Sequence, residues 1–153
     1  MDMPKPGPEH AALQVFAGTW EGRERMPPSP WAPTETTADG RIVNRPALGG
    51  FSIVQDYVQS SEGVSRYEGH GIFGWDAAAK EYCLYWFDSM GSPVNLFRGK
   101  PADNTWTFES QDARGHTRST WEFTSPTAYR HTMEVSPDGK TWSTFMDGAY
   151  RKV

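Results

Sequence analysis

From Thr34 to the C-terminus the chain is a series of short β-like runs, each ended by a turn signal: LGGF, SSEG, DAAAK, SMGSP, KPADN, DARGH, TSPT and SPDGK. Glycine, proline, asparagine and aspartate punctuate a chain in this way because they accept the backbone angles that turns require. With GTWEGRERM in front, the runs count to about ten strands joined by short loops. Parallel neighbours would need long crossovers, and the spacing leaves no room for them, so an antiparallel meander is expected. A meander of this many strands curls and closes, which removes its exposed edges. The expected fold is therefore all-β, an antiparallel up-and-down barrel of about ten strands. Ahead of it, PEHAALQVFAG sets Ala12, Leu13 and Phe16 at near-helical spacing, with Gly18 as a stop. This predicts one short N-terminal helix that plugs the barrel. Residues 1–8 are proline-rich and read as a flexible tail, which leaves 9–153 as a single domain. PPSPWAP is a stiff loop, since proline cannot serve a central strand.

Loop lengths fix register, and register decides which side chains face inward. Reading PDGK as a four-residue loop opposes Val135 to Trp142, Met133 to Thr144, His131 to Met146 and Tyr129 to Gly148. That face is mostly apolar and the other mostly polar, as expected of a pair with one buried side. Closure sets the last strand beside the first, with Tyr150 opposite Trp20, Gly148 opposite Gly22 and Met146 opposite Glu24. Glu24 and His131 then flank Met146 on one inner face, about two strand spacings or roughly 10 Å apart.

The stretch YEGHGIFGWD is harder to place, because both of its faces are apolar. A four-residue AAAK loop sets His70 against Phe87, Ile72 against Tyr85 and Gly74 against Cys83, while a four-residue SSEG loop sets Ile53 against His70. On this pairing Phe51, Ile53, Tyr57, His70, Ile72, Cys83, Tyr85 and Phe87 face inward. Gly69 and Gly71 then lie on the outer face and let Trp86 rest flat across them. An outer face with Phe73, Leu84 and Trp86 needs a cover, and a homodimer through that face is expected.

Composition narrows the partners. The 153 residues carry a net charge of -4 and a pI near 5.5, which disfavours nucleic acid, whose phosphates require a basic surface. No apolar run reaches the roughly 18 residues of a membrane span, and MDMPKPGPEH lacks the apolar core of a secretory signal. The single Cys83 allows no internal disulfide and reads as an inert core thiol in a reducing cytoplasm. Aromatic residues make up 14% of the chain, with seven tryptophans, and suit either a packed barrel or an apolar ligand cavity.

Candidate chemistry rests on the inward histidines. A carboxylate and an imidazole on an apolar wall are costly unless they pair, hold water or meet a ligand. Zinc would need three or four ligands at set distances, and neither H-E-x-x-H nor a Cys/His cluster occurs. DSMG is not a nucleophile elbow, and GHGIFG lacks the following helix that phosphate loops use. A small molecule in the barrel interior remains. Trp20, Trp142 and Tyr150 are expected as walls, Met133 and Met146 as adaptable packing, and Glu24, His70, Tyr85 and His131 as polar contacts. The alternative is a small isomerase or hydrolase with an inward histidine as base beside Glu24.

The strings GTWEG, VQDYVQ, GHGIFGWD, YWFDSMG and SPDGKTWSTFMDGAYR together resemble the bacterial family known as domain of unknown function 1579, over nearly the whole chain. The resemblance implies a lipocalin-like (calycin) barrel, in which Gly18 and Trp20 match the glycine and tryptophan that open the first strand. It brings no activity and no catalytic residues. A likeness to nitrobindins, limited to the barrel and the start Gly18 to Trp20, implies haem as an alternative ligand to an expected absence of cofactors.

Overall fold

The computed structural model covers residues 1–153 and closes ten antiparallel strands into one barrel. In chain order these are β1 (Gly18–Met26), β2 (Thr36–Ala47), β3 (Ser52–Ser61), β4 (Val64–Asp76) and β5 (Glu81–Asp88). Then follow β6 (Asn95–Ala102), β7 (Thr105–Asp112), β8 (Gly115–Ser125), β9 (Ala128–Ser136) and β10 (Ser143–Lys152). Each strand pairs with its sequence neighbour, and β1 pairs with β10 to complete the ring. The expected helix is divided in two: α1 (Pro8–Ala12) and a 3₁₀ turn over Leu13–Phe16. No helix of the chain is long and apolar enough to cross a membrane.

The 3₁₀ turn drives Leu13 and Phe16 into the closed end, where both are fully buried. Phe16 stacks on Phe73 at 4.9 Å and meets the edges of Trp106, Trp121 and Phe123. Its carbonyl ends the turn and has no helical partner, so side chains must satisfy it. The Trp20 indole N–H and the Asn44 amide each donate to it at 2.9 Å, and Gln55 donates in turn to Asn44 Oδ1 at 3.0 Å. All three side chains are buried, where an unpaired polar group costs about 1–3 kcal/mol. Trp20 of β1 and Asn44 of β2 are thereby tied to one atom, and Gln55 of β3 is tied to Asn44.

Three registers differ from those expected, and parity decides the consequence. The β9–β10 loop is longer than PDGK, and a bulge at Phe145 adds another residue, so Met146 faces Met133 and Gly148 faces His131. The net slip is even, and His131, Met133, Met146 and Tyr129 stay inward. The β1–β10 pairing also slips by an even count: Gly22 faces Tyr150 and Glu24 faces Gly148.

The β3–β4 hairpin is different. Its loop is only Glu62-Gly63, both at positive φ (53° and 74°), the mirror-image turn that matches strand twist. A further irregularity lies between Gln59 and Ser60, and Ile53 consequently faces Phe73 rather than His70. That slip is odd, and an odd slip turns a whole strand over. The β4–β5 register itself is as expected, His70 opposite Phe87, so both strands invert together. Phe73, Leu84 and Trp86 face inward, while His70, Ile72, Tyr85 and Phe87 face out. Trp86 does lie across Gly69 and Gly71, but on the inner side; a Cβ at Gly69 would overlap its ring. A dimer contact through Phe73, Leu84 and Trp86 is excluded by the same inversion.

Asn44→Ala leaves the Gln55 amide unpaired and removes one of the two donors to Phe16. It is expected to lower stability by about 1–3 kcal/mol, measured by urea unfolding; a loss within ~0.5 kcal/mol would show the relay to be dispensable.

Candidate functional site

Aromatic packing fills the closed end, but the open end retains a cavity of about 360 Å³. Its walls come from β3 (Gln55, Tyr57, Gln59), β4 and β5 (Tyr67, Leu84, Trp86), and β8 to β10 (Ser119, Trp121, His131, Met133, Phe145, Met146), with Met26, Ile42 and Phe97 completing it. Most of the lining is apolar, as in sites that bury small ligands. Met133 and Met146 oppose one another across β9 and β10, and their unbranched side chains adapt to irregular shapes.

His131 is the only titratable imidazole in this wall. It lies flat on Trp121, with ring centroids 4.4 Å apart and planes within 7°. Its Nε2 is 2.7 Å from Ser119 Oγ. Burial without a compensating charge pushes its pKa down to about 3, so the imidazole is neutral at physiological pH. Ser119 and His131 resemble a nucleophile and base in spacing, yet no carboxylate holds the imidazole. Accepting a proton there would create an uncompensated buried cation. The pair is equipped to hydrogen-bond, not to transfer protons.

A second polar group lies behind the opposite wall. Glu24 is fully buried, in register with Gly148, which in turn faces His131. The Tyr57 hydroxyl donates toward both carboxyl oxygens, at 2.6 and 2.8 Å, and Gln59 Nε2 donates to the Tyr57 oxygen at 3.3 Å. Burial raises the Glu24 pKa against the lowering effect of Tyr57, and burial together with Glu24 raises that of Tyr57 far above its ordinary value. Gly40 makes room for the group, since a Cβ there would overlap the Tyr150 hydroxyl and approach Glu24 Oε1 at 2.8 Å. The Tyr150 hydroxyl sits beside this carboxyl without a hydrogen bond of its own. Nearer the mouth, Trp86 donates to the Tyr67 oxygen at 3.1 Å, and Tyr67 donates to Asp88 at 2.9 Å.

Of the residues singled out in the sequence, His131, Met133 and Met146 line the cavity together. Glu24 and Tyr150 are inward but lie behind Tyr57, and Trp20 belongs to the packed floor. Three positions are corrected. His70 is on the outer surface, its Nδ1 2.7 Å from Asp56. Tyr85 faces solvent at 42% exposure. Trp142 precedes β10 on the outside, with the Arg118 guanidinium 4.0 Å above its ring. Tyr67, Trp86 and Trp121 were not identified as lining from the sequence, and Tyr57 was placed on the inner face but not among the contacts. Tyr67 and Trp86 follow only when the two-residue β3–β4 turn is combined with the irregularity between Gln59 and Ser60, which together make the slip odd. Trp121 follows from Ser119, Trp121 and Phe123 facing inward on β8.

A closed antiparallel barrel, plugged at one end and hollow at the other, defines a lipocalin-like barrel. The model of the family described as Protein of unknown function (DUF1579) matches residues 5–152, and the chain belongs to that family. Among solved structures the chain is similar to Rv2717c from M. tuberculosis, with a TM-score of 0.69 at 11% identity, covering 96% of this chain and 98% of that one. It is also similar to the S-type phycobiliprotein lyase CPES from Guillardia theta, with a TM-score of 0.62 at 11% identity over 95% and 91%. Such identities establish shared fold alone. Comparison with curated proteins finds no match.

The buried imidazole has a pH signature. Its folded pKa lies below the unfolded value of about 6.5, so the unfolded chain binds the extra proton between those values. His131 therefore removes stability as pH falls from about 6.5 toward about 3, by up to ~1.4 kcal/mol per pH unit. Glu24, raised instead, acts in the opposite sense. The difference between wild type and His131→Gln in urea unfolding isolates the first effect: the variant is expected to lose less stability over this window. Parallel curves would show that His131 is not buried as described.

Proposed function

We propose that this protein is a small-molecule-binding barrel that holds a compact, largely apolar ligand in the cavity at its open end. The observation that carries this is the contrast between two halves of one interior. The closed half is filled by Phe16, Phe73, Trp106, Trp121 and Phe123. The open half keeps about 360 Å³ between methionine and aromatic side chains. A folded chain gains stability from filling such a space, so retaining it has a functional explanation. A barrel of this shape also serves a phycobiliprotein lyase, which supports ligand handling as a use of the fold.

Binding is favoured over catalysis because His131 has no carboxylate to support a proton-transfer role. Haem suits this lining poorly. No lysine or arginine faces the cavity to meet its carboxylates. Cytoplasmic residence belongs to the same proposal, since a lone buried thiol, Cys83, fits a reducing compartment.

Native mass spectrometry of freshly purified protein is expected to show a retained small molecule or to show one captured after soaking with apolar candidates. Met133→Trp, which fills the cavity, is expected to abolish capture. Capture unchanged by that variant would place binding elsewhere.

The homodimer is carried forward with a different contact. Ile72, Tyr85 and Phe87 adjoin one another on the outer sheet at 37%, 42% and 49% exposure, an apolar group of the kind that marks interfaces. Sedimentation at micromolar concentration is expected to give a dimer that Phe87→Asp converts to monomer. A monomeric wild type would refute it.

A further inference from the structure

We infer that the cavity selects an uncharged ligand that both donates and accepts hydrogen bonds, and rejects carboxylates, sulfonates and phosphates of the same shape. The inference rests on the proposed binding function and specifies its ligand.

The polar groups of the wall form a short inventory. Several donors are spent within the protein. Tyr57 gives its hydrogen to Glu24, Gln59 one amide hydrogen to Tyr57, and Gln55 one to Asn44. Trp86 gives its indole hydrogen to Tyr67, and Tyr67 its own to Asp88. Other groups remain free. The carbonyl oxygens of Gln55 and Gln59 accept nothing within the chain. The neutral Ser119–His131 pair has two hydrogens and uses one between its members, so one N–H or O–H donor is left over. The Trp121 indole N–H also lines this space and is buried without a partner, and Gln55 and Gln59 each keep a second amide hydrogen. The wall thus offers neutral donors and neutral acceptors together.

Charge is absent from the lining on the positive side. None of its fifteen residues is lysine or arginine. The ionisable groups just behind it, Glu24 behind Tyr57 and Asp88 behind Tyr67, are both acids. An anion entering this space would give up its hydration for a few neutral donors, no cation, and a wall of aromatic faces, whose π-clouds are negative. An uncharged molecule with an N–H or O–H and a carbonyl-like oxygen loses little, because each group finds its complement. Methionine and aromatic side chains take the remaining surface through dispersion and stacking.

Three probes on one skeleton separate charge from bulk: N-phenylnaphthylamine, its sulfonate (anilinonaphthalene sulfonate) and the corresponding sulfonamide. Fluorescence titration of the wild-type protein is expected to give comparable affinities for the amine and the sulfonamide, and an affinity weaker by about tenfold or more for the sulfonate, a difference of about 1.4 kcal/mol. Sulfonate binding as tight as that of the sulfonamide overturns the inference while leaving cavity binding intact. Exclusion of sulfonamide and sulfonate alike overturns it as well, since size would then be the discriminator. Absence of saturable binding by all three defeats the binding function itself and this inference with it. Competition between the amine and the sulfonamide for one site, lost in Met133→Trp, ties the readout to the cavity.

Discussion

The carbonyl oxygen of Phe16 is the atom on which the architecture depends. It ends a 3₁₀ turn inside a barrel, where neither water nor helix continuation can satisfy it. Trp20 from β1 and Asn44 from β2 converge on it, and Gln55 from β3 secures Asn44. These bonds set the depth of the plug, and the depth divides the interior. Below that level Phe16 meets a ring of aromatic edges. Above it the same strands continue without a plug, and their inward side chains cannot meet across the centre.

The upper space is kept open by choices at several positions. Gly69 and Gly71 remove side chains so that Trp86 can lie against its own wall instead of projecting to the middle. Gly40 and Gly148 make the same allowance for Glu24 and Tyr150. Tyr57 and Tyr67 direct their hydroxyls to acids and so present ring faces to the cavity. The hydroxyls of Tyr57 and Tyr67 are thus held at the margins with partners, around a largely apolar centre.

Much of this was legible in the sequence, and the limit has a physical cause. Strand count and closure followed from turn spacing, and the plug followed from Leu13 and Phe16 ahead of Gly18. Facing depended on parity. At β9–β10 and β1–β10 the true registers differ from the expected ones by an even count, so His131, Met133, Met146 and Glu24 kept their inward facing. At β3–β4 a two-residue turn and one irregular residue make the difference odd. His70 and Tyr85 were lost to the outer surface for that reason, and Tyr67 and Trp86 went unseen. Alternating polarity usually resolves such a choice, but both faces of β4 and β5 are apolar, leaving Ile72, Tyr85 and Phe87 exposed. Glu62-Gly63 signals the two-residue turn, but that turn alone moves the register by two and keeps the facing, and the irregular residue beside Gln59 carries no comparable signal.

The central claim is that the space among Met133, Met146, Trp86 and Trp121 is hollow and apolar. Xenon occupies dry apolar cavities without needing polar partners. Crystals of the protein under xenon pressure are predicted to show a strong anomalous peak between the two methionines and Trp86. Side chains filling that space, with no xenon bound, would contradict the account.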